Sequence, residues 1–99
     1  MDSLLQMLGI AKKAGKVTTG EFLCEKAIKS GESVLVIISE DISKNSKKTV
    51  TNLCVHYGVQ YIEYANMELL GKYTGGQDRA VVSVNDEGFA AAILKKYSI

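Results

Sequence analysis

The uninterrupted apolar run Val34-Leu35-Val36-Ile37-Ile38 restricts this chain more than any other stretch. A strand with one wet face alternates apolar and polar residues, so a run without a polar position reads as a central strand covered on both faces. That requires helices packed on two sides of a sheet.

The flanking segments supply them. Leu4, Leu8 and Ala11 recur at i, i+4, i+7 with Leu5 and Met7 beside them, which predicts a helix ended by Gly15 with Lys12 and Lys13 in its last turn. Lys16-Val17-Thr18-Thr19 is short and β-branched and reads as a strand. Thr18-x-x-Glu21 has the form of a capping box, so a second helix is expected from near Gly20, with Cys24, Ala27 and Ile28 as its apolar face, Leu23 alongside, and Gly31 at its end. Ser39 to Ser43 is a loop, and Val50, Leu53, Cys54 and Tyr57 predict a third helix ending at Gly58.

Val59 to Tyr64 reads as another strand, and Asn66 to about Leu70 as a short helix opened by an Asn cap, before a glycine-rich segment from Gly71 to Gln77. Arg79 to Val84 is the last strand. A final helix follows, capped by Asn85 or Asp86, with Phe89, Ala92, Ile93 and Lys96 on one face. The expected fold is α/β, a three-layer α-β-α sandwich with a central mixed sheet of about four strands and helices on both faces. Residues 1–99 make one domain in this reading.

Composition agrees: 46% hydrophobic residues in 99 are enough for one continuous core, and 23% charged residues without Pro do not fit a disordered tail. Met1-Asp2-Ser3-Leu4 has no basic, apolar leader pattern, and no apolar run approaches the ~20 residues of a membrane span, so a cytoplasmic protein with no membrane partner is expected. Cys24 and Cys54 stand at apolar helical positions outside any CxxC or Cys/His spacing, as buried reduced thiols do.

Enzyme chemistry finds little support. His56, the sole histidine, has no neighbouring nucleophile in the sequence, and the acid pairs Glu40-Asp41 and Asp86-Glu87 sit where carboxylates routinely precede helices. Gly71-Lys72-Tyr73-Thr74-Gly75-Gly76 is not a P-loop, because that motif needs G-x-x-x-x-G-K-[ST] between strand and helix. No cofactor is expected.

A formal net charge of +1 gives no general attraction to nucleic acid, but the lysines crowd into the first half of the chain while many of the acids lie in the second. Lys12, Lys13, Lys16, Lys26 and Lys29, the helix N-terminus at Thr19, Gly20 and Glu21, and the loop Gly75, Gly76, Gln77, Asp78 and Arg79 form a candidate phosphate-binding surface. The residues alone leave two readings open: an RNA-binding module and a protein-interaction module.

The run GKVTTGEFLCEKAIKSGESVLVIISEDISKNSKKTVTNLCVHYGVQYIE, continuing to LLGKYTGGQDRAVVSVNDEGFA, resembles the kink-turn-binding ribosomal protein superfamily, of the archaeal and eukaryotic large-subunit ribosomal protein seven-Ae and thirty-e type. It is most similar to the small bacterial YlxQ-like branch. Gly20 with Lys26 six residues later, the apolar strand before Glu40-Asp41, the helix start Lys44-Asn45-Ser46-Lys47-Lys48, and Leu70-Gly71-Lys72 carry the likeness.

The resemblance implies a non-enzymatic RNA binder that inserts the N-terminus of its second helix into a kinked duplex beside tandem sheared G·A pairs. Gly20, Glu21 and Lys26 match that helix, and Gly75 to Asp78 fall in the loop that covers an extruded nucleotide in the family. The implied partner is structured RNA, a kink-turn in ribosomal RNA or a riboswitch, with the ribosome as its setting. One departure stands out: many members place Asn-Glu or Lys-Gln where this chain has Phe22 and Leu23. Glu21 is then open to two roles, a base contact or completion of a capping box with Thr18.

Overall fold

The apolar run does form a strand walled in on both sides. In the computed structural model, which describes residues 2–99, the elements follow as α1 (Ser3–Lys13), β1 (Val17–Thr19), α2 (Glu21–Ser30), β2 (Leu35–Ile38), α3 (Lys44–Tyr57), β3 (Gln60–Glu63), α4 (Met67–Thr74), β4 (Val81–Val84) and α5 (Glu87–Tyr97). The sheet order is β1-β4-β2-β3. β2 runs parallel to β3 and antiparallel to β4, and β4 is antiparallel to β1, so the sheet is mixed.

Side chains alternate across β2, and each half enters a different core. Leu35 and Ile37 join Val82 and Val84 of β4 under Leu4, Leu5 and Leu8 of α1, Leu70 of α4, and Ala90 and Ile93 of α5. Val36 and Ile38 face the other way, with Val81, Cys24 and Ile28 of α2, and Val50 and Cys54 of α3. Helices therefore cover both faces, as the apolar run demanded.

Ser83 is the polar exception in β4, fully buried and pointing away from the Val82 and Val84 side. It is satisfied by Ser33 Oγ and Asn85 Oδ1, each at 2.7 Å, and Asn85 Nδ2 in turn donates to Thr18 Oγ1 at 2.8 Å. Buried hydroxyls are inexpensive only when paired in this way. The chain of contacts stitches β1 to β4 directly below the start of α2.

The expected capping box does not form. Thr18 lies inside β1, paired with Ser83, and its hydroxyl is engaged by Asn85. Gly20 is the N-cap instead, at φ 95° and ψ 140°, with no side-chain cap. Leu23 also departs from expectation: it is 52% exposed rather than part of the core.

The helix expected to end near Leu70 continues to Thr74, so Gly71, Lys72 and Tyr73 are helical and the loop begins at Gly75. Strand β4 begins at Val81, leaving Arg79 in that loop. In α5 the cap is Asp86, whose Oδ2 accepts the Phe89 N–H at 2.9 Å, and the buried residues are Ala90 and Ile93 rather than Ala92. Asp41 likewise has a structural role, its Oδ1 accepting the Met67 N–H at 2.9 Å.

Candidate nucleic-acid interface

Two segments far apart in sequence meet at the N-terminus of α2. A Cβ built on Gly20 would stand 3.4 Å from Nη1 of Arg79. The guanidinium therefore lies against the glycine that opens the helix. The first N–H groups of any helix lack partners within it and carry the positive end of its dipole. With no side chain capping them, these N–H groups and the Arg79 charge make a compact positive end.

Arg79 is held from behind by its own backbone, whose N–H donates to Met67 O at 3.0 Å, while Asp41 takes the Met67 N–H. Helix α4 thus anchors the loop at its start and carries it from its end. The Gly76 N–H donates to Gly71 O at 2.6 Å, and the Gln77 backbone lies so close to Gly71 that a Cβ there would collide with it. Gly71 is buried for this reason. Gly75 and Gly76 take positive φ of 134° and 104°, and Gly75 to Asp78 are all exposed.

Glu21 occupies the first turn of α2, and its Oε1 is buried without a hydrogen-bond partner. Phe22 and Leu23 follow, both turned outward, and the Lys26 ammonium stands 5.8 Å from the centre of the Phe22 ring. Behind this helix Cys24 is fully buried, and burial pushes its thiol up to about 12 despite the opposing Arg79 charge.

The matching family model, the ribosomal protein L7Ae/L30e/S12e/Gadd45 family, spans residues 2–94. The chain belongs to that family. The RNA-binding protein YlxQ of Bacillus subtilis (strain 168) is 40% identical over 88 residues, covering 89% of this chain and 88% of that protein. The large ribosomal subunit protein eL8 of Cenarchaeum symbiosum (strain A) is 30% identical over 95 residues, 95% of this chain and 75% of the relative. A solved structure, described as a protein with unknown function from Bacillus halodurans C, superposes with a TM-score of 0.95 at 30% identity and full coverage of both chains.

Set on this L7Ae-type fold, the residues expected from sequence divide into groups. Gly20 and Arg79 meet at the N-terminus of α2, with Glu21 in its first turn and Thr19 ending the strand that leads into it, while Lys26 stands further along the helix, over the Phe22 ring. Lys12 and Lys13 instead line a groove of about 590 Å³ with Gln6, Gly9, Ile10, Tyr73 and Gly75, so they meet the loop at Gly75. Lys16 is exposed between α1 and β1, and Lys29 is exposed in the last turn of α2, away from Gly20. Sequence reasoning did not find the Gly71 seat of the loop or the Asn85 contact beneath the helix, both of which depend on residues brought together by folding. Among the described residues no helix is long and apolar enough to cross a membrane, and no group of three His, Cys, Asp or Glu could hold a metal ion.

Proposed function

We propose that the chain is a non-enzymatic, ribosomal-protein-like RNA-binding protein of the cytoplasm, a single domain that recognises kink-turn RNA with the N-terminus of α2 and the loop from Gly75 to Arg79. The observation that carries this reading is the Arg79 guanidinium lying against Gly20, which joins a loop cation to uncapped helix N–H groups. That combination suits a phosphate or a base edge better than either part alone. The RNA-binding name of the YlxQ relative and the ribosomal name of the eL8 relative support it.

In this reading Lys26 contacts the backbone beside the helix, while Lys12, Lys13, Lys16 and Lys29 add screened attraction to more distant phosphates. Glu21, with no capping box to complete, offers its carboxylate as an acceptor for a base N–H. The loop of Gly75, Gly76, Gln77 and Asp78 closes over a splayed nucleotide, and its glycines permit close approach. The partner is a kink-turn in ribosomal RNA or a riboswitch, with ribosome association as the cellular setting.

A gel-shift titration with a kink-turn RNA, repeated with its tandem G·A pairs replaced, tests this. Tighter binding to the intact kink-turn is expected. Equal, weak binding to both at physiological salt would discard kink-turn recognition and favour a protein-interaction adaptor on the same scaffold.

A further inference from the structure

Phe22 is 71% exposed and Leu23 52%, on the first turn of a helix whose N-terminus carries unpartnered N–H groups. A phenyl ring left in water on a monomer's surface usually means little when isolated. This one is not isolated. The Lys26 ammonium lies over its face at 5.8 Å, and Lys26 also lines a cleft of about 340 Å³ with Thr18, Leu23, Ala27, Ser30 and Glu32. Aromatic face, cation and cleft are therefore continuous along one side of α2.

Resting on the RNA-binding reading above, we infer that Phe22 is a stacking platform for an unpaired nucleobase, with Lys26 swinging from the ring to the phosphate of the stacked nucleotide. Charge complementarity selects this occupant. A nucleotide offers a flat π-face to the ring and an anion to Lys26 at once, whereas an apolar peptide segment would leave the ammonium beside its contact unpaired. Glu32 in the same cleft lining disfavours a phosphate beside it, which leaves Lys26 as the cation of that cleft to meet the backbone. Stacking tolerates any base, so this position contributes affinity and geometry in place of hydrogen-bonded base reading.

The experiment measures affinity for one kink-turn RNA, and the fluorescence of 2-aminopurine placed in turn at each unpaired position of that RNA. Phe22→Ala is expected to weaken binding about five- to 150-fold, as loss of one base–aromatic stack does. Phe22→Trp should bind at least as well as the wild type, while Phe22→Leu, apolar but without a π-face, should resemble Phe22→Ala. One 2-aminopurine position should be quenched by the wild type and not by Phe22→Ala. Unchanged affinity for Phe22→Ala, with a loss for Lys26→Ala, would overturn stacking and leave the RNA reading standing. Full rescue by Phe22→Leu would overturn stacking in favour of a generic apolar contact, and failure of the wild type to bind the RNA would remove both proposals.

Discussion

Gly20 stands where the backbone takes a positive φ and an arginine side chain approaches. Its φ of 95° is closed to residues with a Cβ at ordinary cost, and the space where that Cβ would project faces Arg79. Gly20→Ala should therefore destabilise the protein by about 1–3 kcal/mol, the usual strain at such a position, read as a lowered urea midpoint. It should also weaken RNA binding beyond what the stability loss explains, because the added methyl sits in contact with the Arg79 guanidinium where RNA is proposed to approach. Lys26 behaves differently, being exposed on the outer side of α2. Lys26→Ala should leave the unfolding midpoint nearly unchanged, lower RNA affinity and reduce the slope of log K against log salt by about one counterion. An unchanged slope would make Lys26 ordinary solvated surface. Gly20 and Lys26 are site candidates by likeness to the family's helix start; of the two roles open to Glu21, the capping box with Thr18 does not form, which leaves the base contact proposed above. A capping box is a local pattern, and the hydroxyl it needed was taken by Asn85, far away in the chain.

Helix α4 was the least legible element, for a related reason. Gly71 normally signals a helix end, yet here it sits mid-helix because the Gln77 backbone folds back onto it. A glycine in a helix costs about 1 kcal/mol against alanine, and the close approach of the loop is what offsets that cost. Gly71→Ala should consequently gain helix propensity and still lose stability, by about 1–3 kcal/mol, since an added methyl in a filled space forces backbone shifts. Hydrogen exchange should show the loss of protection concentrated at the Gly76 and Arg79 amides, whose acceptors lie on α4. Uniform loss across the sheet would mean that the loop is not seated as described. The other helices were easier, since α1, α2 and α3 each bury a stripe at helical spacing and end in a glycine or a basic turn.

At the level of the whole molecule, two apolar layers share one sheet; one buries both thiols, and the partly buried Tyr64 packs against the other. The Cys24 thiol is raised to about 12 and Cys54 to about 11 by burial, from 9.0. Tyr64 is raised from 10.0 to about 12, mainly by its hydrogen bond to Asp2, with burial and the Asp2 charge adding to it. The folded protein thus holds these protons more tightly than the unfolded chain. Stability from them is fully present below about pH 9 and is lost as pH rises toward 12. Urea midpoints should fall between pH 9 and pH 11 more steeply than in Cys54→Ala, which lacks one of the titrating thiols. Both thiols should also resist alkylation at pH 8 until the protein unfolds, since each is buried and protonated.

The apolar pattern by itself determined the class of this fold: an uninterrupted β2 demanded cover on both faces, and the flanking helical stripes supplied it. Glycine and lysine positions, not the apolar pattern, put Gly20, Lys26 and the glycine-rich loop among the candidates, because turn glycines and lysine spacing are written locally. Tertiary structure alone decided that Arg79 lies at Gly20, that α4 runs through Gly71, and that Phe22 faces water beside Lys26. Periodicity records which face of an element is buried, whereas a site is made where separate elements approach, and the spacing of residues along one chain carries no measure of that distance.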